Sequence, residues 1–285
     1  MELRAITWNL FHGRDHPPDP ALLTWRSRLL RITEHDGTHA QVNRSLLDEF
    51  ASVIAAREWD VALLQECPPR FARPLAERTG ADAHRVLTSR NSLAPLRTAL
   101  ALANPDLIAS GEGGSNLTLV RRSGPLGRIA ERGEVTICER RPERRAMALT
   151  RTSSGLCIAN LHATSGAPEQ TSRELPAAAA AAVAFAGEAP LLFGGDLNLR
   201  PGRDPAPFEL LAREFGLAPV TGPDSIDHLL VRGLEVVESP HPWPAADREV
   251  GGPGGLRIRL SDHAPVEAVF RSKAAAARPG AAGMP

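Results

Sequence analysis

Six short apolar segments of this chain each end in a small polar cluster, and this pattern constrains the fold more than any other feature. Apolar runs of this length are typical of buried β-strands. Burying one unpaired charge costs several kcal/mol, so strands that end in carboxylates and imidazoles indicate a shared site. The clusters are Trp8-Asn9, Gln65-Glu66, Asn160-Leu161-His162, Gly195-Asp196-Leu197-Asn198, Ile226-Asp227-His228 and Ser261-Asp262-His263.

The joint occurrence of these clusters carries the inference, because a single strand-end Asn or Asp is more often a turn former. The strongest run begins with Gly194 and Gly195, which permit close approach of another backbone segment. Asp196 and Asn198 follow, two positions apart and therefore on one side of an extended chain. Oxygen-rich sets of this kind suit a hard cation such as Mg²⁺ or Mn²⁺. The four acids are Glu66, Asp196, Asp227 and Asp262.

Composition excludes several other classes of protein. Cys67, Cys138 and Cys157 are an odd number without paired spacing, which argues against a disulfide framework and a zinc cluster. No apolar run of about 18 residues and no signal-peptide pattern is present, so we expect a cytoplasmic protein with no transmembrane segment. The 33 basic residues balance 33 acidic ones, unlike many dedicated nucleic-acid binders. No feature indicates an obligate protein partner.

Strands and helices alternate along the chain, which predicts one α/β domain. We expect a single catalytic domain over residues 1–270 and a disordered tail over residues 271–285, which are rich in Ala, Gly and Pro. Helices are predicted over 43–57, 70–78, 173–186 and 208–215, and loops over 110–115 and 242–255. A short helix near 22–32 is expected within the polar segment 13–42.

In these motifs and their order, the chain resembles the endonuclease/exonuclease/phosphatase superfamily, which has the deoxyribonuclease-I-like fold. The resemblance extends from Thr7 to His263, and the run Glu143-Arg144-Arg145-Ala146 is also similar to the family pattern. It implies an α/β fold, a four-layer sandwich of two packed mixed β-sheets flanked by helices. It also implies a divalent-metal-dependent hydrolase of phosphate esters in which water attacks phosphorus.

The resemblance further implies a metal site and substrate contacts. Glu66 would be the principal ligand of Mg²⁺ (or Mn²⁺), with Asn9 and Asp262 at or next to the metal. Asn116, at the start of a strand, is similar to a phosphate-contacting residue in parts of the family, and a strand cap is an equal alternative. Arg145 could approach a phosphate, but such an arginine more often pairs with a carboxylate on a neighbouring strand.

Five residues would carry the chemistry that the resemblance implies. Asp196, supported by Asn198, would orient or deprotonate the attacking water. His263, paired with Asp227, would contact the scissile phosphate or serve as general base. His162 would bind the phosphate or protonate the leaving oxygen.

The substrate class stays open at this point. We expect a phosphodiesterase acting on a small molecule or a lipid head group, with a nuclease acting on DNA or RNA as the alternative. A catalytically inactive binding module would lack at least one expected site residue, and none is missing. The chain has no tyrosine, so the active-site Tyr of the abasic-site endonucleases is absent. The segment 13–42 is expected to lie near the site and to shape substrate choice.

Four loop residues are interpreted as structural. His12 and His16 are predicted to lie in a solvated loop. Trp25 and Trp243 are predicted to be partly buried rather than to act as stacking platforms for substrate.

Overall fold

Two β-sheets and the helices that cover them make up the computed structural model, which describes residues 1–88, 93–139 and 144–272. The strands are β1 Glu2–Asn9, β2 Glu34–His35, β3 Ala40–Gln41, β4 Val61–Cys67, β5 Ala81–Leu87, β6 Ser115–Arg121, β7 Ile129–Cys138, β8 Arg145–Thr152, β9 Cys157–His162, β10 Leu191–Asp196, β11 Asp227–Arg232, β12 Leu234–Pro242, β13 Glu249–Gly251, β14 Arg257–Arg259 and β15 Val266–Ser272. The helices are α1 Trp25–Leu30, α2 Leu47–Ala55, α3 Ala72–Thr79, α4 Ala94–Ala103, α5 Pro105–Glu112, α6 Pro168–Ala186 and α7 Pro205–Phe215.

Both large sheets are mixed. The six-stranded sheet has the order β12-β15-β1-β4-β6-β5, and the five-stranded sheet has the order β11-β10-β9-β8-β7. Strand β1 is parallel to β4 and antiparallel to β15, whereas β10 is parallel to β9 and antiparallel to β11. Two small ribbons, β2-β3 and β13-β14, and three isolated bridges complete the pairing in the described residues.

The sheets pack face to face, and helices cover their outer faces. The apolar run of β1 is nearly continuous because both faces of the strand are buried. Leu3 and Ala5 pack toward the second sheet. Ile6 and Trp8 lie in a separate cluster with side chains of α2 and α3. Residues of α6 and α7 cover the second sheet in the same way. The predicted four-layer α/β sandwich of two mixed sheets is therefore confirmed.

The parallel pairs bring the polar strand ends together. In the first sheet Asn9 is the register partner of Gln65, so β1 and β4 end side by side. In the second sheet Asp196 is flanked by His162 and by Asp227. The ends of the two sheets therefore meet at one edge of the sandwich.

Several predicted boundaries are wrong. The expected loop at 110–115 begins inside a helix, because α5 extends to Glu112, and the helix α4 was not predicted. The expected loop at 242–255 contains the short strand β13. Strand β15 extends to Ser272, so Arg271 and Ser272 belong to the sheet rather than to the tail. The rest of the predicted tail, 273–285, lies outside the described residues. Across the described chain, no helix combines the length and the apolar character needed to cross a membrane.

Candidate active site

The carboxylate of Asp196 is the centre at which side chains from both sheets converge. It is 1% exposed and lies at the end of β10. Its Oδ2 accepts a hydrogen bond of 2.9 Å from Asn9 Nδ2. His162 Nε2 lies 3.4 Å from the same oxygen, and His263 Nε2 lies 3.8 Å from it. The sequence analysis assigned Asn9, His162, Asp196 and His263 to one site, and in the structure these four side chains lie together.

His263 is held by a carboxylate on the opposite sheet. Its Nδ1 donates to Asp227 Oδ2 at 2.8 Å, which directs Nε2 toward Asp196 and, at 3.9 Å, toward Asp262 Oδ1. Burial disfavours the imidazolium, but the carboxylates of Asp227, Asp196 and Asp262 outweigh burial and raise the pKa of His263 to about 10. His263 is therefore a cationic hydrogen-bond donor at neutral pH.

Glu66 faces two histidines from different elements. Its Oε2 lies 3.1 Å from His12 Nε2, and its Oε1 lies 3.9 Å from His162 Nε2. Burial, with smaller contributions from Arg14 and Arg145, lowers the pKa of His12 to about 3, so that imidazole is neutral. The prediction of a solvated loop at His12 is wrong, because the chain after β1 turns back and packs the ring against Glu66.

Backbone strain is concentrated in the site. Non-glycine residues with positive φ cost roughly 1–3 kcal/mol each and persist where the surrounding structure fixes them. Of the seven in the described chain, five belong to the site or lie directly beside one of its residues, and only Arg31 and Leu93 do not. The other five are Phe11, His12, Glu66, Asn198 and Ser261, with φ from 46° to 61°.

Backbone contacts orient Asp196. Its second oxygen, Oδ1, accepts a hydrogen bond of 3.1 Å from the backbone N–H of Asn198. The side chain of Asn198 donates to the carbonyl of Ala163 at 3.0 Å. Asn198 therefore positions the carboxylate. Gly195 (φ +127°) is required beside it, because an added Cβ would overlap the carbonyl oxygen of Leu161.

The two predicted substrate-binding residues differ in their surroundings. Arg145 Nη1 lies 3.4 Å from His162 Nδ1, at the border of the site. Burial, and then the charge of Arg145, lowers the pKa of His162 well below its usual value. Asn116 is fully buried, and its Nδ2 donates to the carbonyl of Ala146 at 2.8 Å. Its Oδ1 is buried and has no hydrogen-bond partner in the described residues.

Some members of the polar clusters serve the fold. His228 is fully buried, packs on Phe208 and faces the carbonyl of Leu199. Asn160 accepts a hydrogen bond from Gln65 and ties the two sheets together. Glu143, which the sequence analysis compared with the family pattern, lies outside the described residues.

The two tryptophan predictions have different outcomes. Trp243 is buried and donates to Glu267 at 2.8 Å, as expected for a structural residue. Trp25 is 65% exposed, so the prediction of partial burial is wrong for it.

The donor set suits a hard cation. The carboxylates of Glu66, Asp196, Asp227 and Asp262 lie around the side chains of His162 and His263. Burial raises the pKa of Asp196, and the charge of Asp227 raises it further. Asp227 Oδ1 is buried without a hydrogen-bond partner in the described part of the chain. This surplus of negative charge and acceptor atoms is the environment that Mg²⁺ or Mn²⁺ would stabilise.

Two sets of side chains could supply ligands. Atoms of Asp196, Asp227 and His263 lie within 4.8 Å of one another. His263 already uses Nδ1 to bond Asp227, and its Nε2 lies 3.8 Å from Asp196 Oδ2, so this set describes an Asp–His–Asp triad better than a metal centre. Glu66 and Asp262 carry carboxylate oxygens, the ligand type that a hard cation prefers.

A cleft opens beside the triad. It has a volume of about 370 Å³ and is lined by His263 and Asp262 together with Arg200, Asp224 and Ser225. The exposed Arg200 follows Asn198 in the same loop. Sequence analysis missed it because arginines are abundant throughout the chain.

Comparisons with known proteins identify the family and the fold. The model of the "Endonuclease/Exonuclease/phosphatase family" matches residues 6–263. Among curated proteins, none matches the chain significantly. An endonuclease/exonuclease/phosphatase family protein from Bacteroides thetaiotaomicron has a similar structure, with a TM-score of 0.62 and 13% identity over 96% of this chain and 99% of that chain.

Two further solved structures share the fold. A mannosyl-6-phosphatase of Bacteroides thetaiotaomicron VPI-5482 has a TM-score of 0.61 and 13% identity, covering 94% of this chain and 99% of its own. Truncated TDP2 of Caenorhabditis elegans has a TM-score of 0.56 and 15% identity, covering 95% and 98%.

Proposed function

The chain belongs to the endonuclease/exonuclease/phosphatase family, and from this premise we propose that it is a divalent-metal-dependent phosphodiesterase. The observation that carries the proposal is the convergence on Asp196 of Asn9, His162 and His263, from strand ends of both sheets. A buried carboxylate in contact with an amide donor and two imidazoles can orient and deprotonate a water molecule.

The metal would be held by Glu66 and Asp262, with Asn9 adjacent. Mg²⁺ or Mn²⁺, when bound, neutralises negative charge on the phosphate oxygens. His12 donates toward Glu66 and fixes one of its carboxylate oxygens. Asn9 donates to Asp196 through Nδ2 and accepts from the backbone N–H of Phe11 through Oδ1, so its side chain cannot rotate freely.

Asp196 would orient the attacking water and take its proton. Its raised pKa favours this role, because a base is most effective when its pKa lies near the working pH. The Asn198 backbone and the Asn9 amide fix the direction of the carboxylate.

The two histidines would donate to the phosphate. His263 is protonated at neutral pH and presents Nε2–H toward Asp196, so we assign it a phosphate contact rather than the role of base. His162 is neutral, and its Nδ1 accepts from Arg145. That bond leaves Nε2–H to donate to the leaving oxygen.

The second group of a phosphodiester would lie in the cleft beside His263. Arg200 at its border can pair with a further anionic group of the substrate. The cleft is a small concave space, and the balanced charge of the chain gives no support for a long basic groove. Both observations favour a small or lipid-like ester over a nucleic acid.

A substrate panel tests the proposal. Wild type, Glu66→Gln and Asp196→Asn would be incubated with bis(p-nitrophenyl) phosphate, p-nitrophenyl phosphate, supercoiled plasmid and phospholipid, each with Mg²⁺, Mn²⁺ or EDTA. We expect metal-dependent cleavage of the diester that both variants lose. Plasmid nicking that exceeds diester cleavage would establish the nuclease instead. Cleavage in EDTA would contradict the proposal.

A further inference from the structure

Exposed apolar side chains are concentrated on three helices next to the candidate site. In the described chain, all large exposed hydrophobic residues other than Met1, Val236 and Val237 lie on α1, α4 and α5 or directly before them. We call this the apolar face and define it by six residues. They are Trp25, Leu29, Leu30, Leu96, Leu100 and Leu107.

Helix α1 has an unusual surface. Ser27 is its only buried residue, while Trp25 and Leu29, one turn apart, are 65% and 60% exposed. The remaining residues include the exposed Arg26 and Arg28. A short helix with exposed Trp and Leu and interspersed arginines is typical of segments that lie at a lipid–water interface.

The three helices form one unit. Asn104, between α4 and α5, donates to the carbonyl of Arg28 near the end of α1 at 2.7 Å. The buried Asn43 donates to Asn104 Oδ1 at 2.6 Å and to the carbonyl of Ser27 at 3.0 Å. These hydrogen bonds therefore connect the helices that carry the exposed apolar side chains.

The unit is also anchored beside the site. Glu112, the last residue of α5, pairs with Arg70. Gly114, two residues later, lies so close to the site that an added Cβ would be 3.5 Å from Glu66 Cα and 3.6 Å from His12 Cε1. Helix α5 rises about 1.5 Å per residue, so Leu107 lies about 8 Å along the helix axis from Glu112 at its end.

The exposed charges on α1, α4 and α5 indicate the kind of surface that these helices would bind. Helices α1 and α4 contain no acidic residue, and the two acids of α5, Asp106 and Glu112, are buried. The exposed charges are thus arginines, a combination that complements an anionic surface with an apolar interior.

We propose that the apolar face docks onto an anionic lipid bilayer and holds the candidate site at the membrane surface. Trp25, Leu29 and Leu96 enter the interface, and Arg26 and Arg28 pair with lipid phosphates. The site then faces phosphate esters that reside in or near the membrane. Docking needs no turnover, so its failure would leave the proposed function untouched.

Trp25 supplies a direct readout, because the other tryptophans of the chain, Trp8, Trp59 and Trp243, are buried. The full chain would be titrated with vesicles of phosphatidylcholine alone or mixed with phosphatidylglycerol. Tryptophan fluorescence and cosedimentation would be recorded. We expect a blue shift with the mixed vesicles that Trp25→Phe abolishes without loss of binding.

Matched variants decide the outcome. Trp25→Ser/Leu29→Ser should lower vesicle binding at least about tenfold, and Arg26→Glu/Arg28→Glu should lower it about tenfold or more on anionic vesicles. Val236→Ser/Val237→Ser, at two exposed positions of β12, should bind as wild type does. Absence of vesicle binding, or equal binding by all variants, would overturn the proposal. Self-association that Trp25→Ser/Leu29→Ser abolishes would assign the face to a second copy and overturn it as well.

Discussion

The imidazole of His263 and the carboxylate of Asp227 lie 2.8 Å apart, although they come from different sheets of the sandwich. Asp227 begins β11 in the five-stranded sheet, and His263 precedes β15 in the six-stranded sheet. The pair therefore joins the two halves of the fold at the point where the candidate chemistry takes place. The effect of this pair on kcat can be measured separately from its effect on the stability of the fold.

The first prediction concerns this pair. Asp227→Asn leaves His263 without the carboxylate that favours its charged form, so kcat should fall about 10²-fold, within the range known for positioned acids and bases. His263→Asn should lower kcat by a similar factor. Because the two residues act as one unit, the double variant should be no worse than the more damaging single variant. Additive losses in the double-mutant cycle would show that the pair does not act as a unit.

The second prediction concerns His12, which sequence analysis placed in solvent. His12→Ala removes the donor to Glu66, so we expect activity to fall about 10–100-fold and the Mg²⁺ concentration for half-maximal activity to rise. His35→Ala is the matched control, because His35 is exposed and takes part in none of the polar contacts described for the site. An unchanged metal dependence in His12→Ala would remove this role.

The third prediction concerns Gly195. Gly195→Ala should destabilise the fold severely, because the Cβ overlaps the Leu161 carbonyl and the φ of +127° disfavours any side chain. Gly222→Ala is the control, since its Cβ would meet nothing within 4 Å. Thermal melting should show a large decrease, or loss of folded protein, for the first variant alone. Equal melting temperatures would contradict the close approach of β10 to β9 at this position.

The fourth prediction concerns pH and stability. Asp15 is buried and accepts a hydrogen bond from the backbone of Val42, and burial raises its pKa to about 8. The folded state thus favours neutral Asp15. Its contribution to stability is fully present below the unfolded pKa, near 3.8, and is lost as pH rises through 8.

Asp15→Asn keeps an acceptor oxygen and cannot ionise. Relative to wild type, its melting temperature should therefore rise by a few degrees at pH 9, and the difference should shrink at pH 5. Melting curves across this range measure the effect. A difference that does not change with pH would show that Asp15 ionises equally in both states.

Asn9, Glu66, His162 and Asp196 could be placed from the sequence because they stand at or near the carboxyl ends of strands, whereas Asp227 begins β11 and His263 lies before β15. A strand that stops at Asn9 or Asp196 places its last side chain at the edge of a sheet, and parallel pairing aligns neighbouring ends. The contact of His12 with Glu66 could not be predicted in this way, because it depends on a left-handed turn that no periodic sequence pattern marks. Asn198 also adopts positive φ, but it follows the strand directly and was found with it.

Helices α4 and α5 are the main part of the fold that the sequence analysis did not predict. Their sequences are rich in Ala and Leu but leave apolar residues on the exposed side, so no amphipathic period marks them. The same departure from amphipathicity defines the apolar face. The apolar residues that hid these helices from the sequence analysis are thus part of the surface for which we propose a partner.

The most direct test of the central claim is release of p-nitrophenol from bis(p-nitrophenyl) phosphate by wild type and Asp196→Asn. Asn retains the size of the side chain but cannot accept the proton of water. We expect wild-type turnover that requires Mg²⁺ or Mn²⁺ and falls about 10³-fold in Asp196→Asn at unchanged melting temperature. Turnover in EDTA, or a variant as active as wild type, would contradict a metal-dependent hydrolase centred on Asp196.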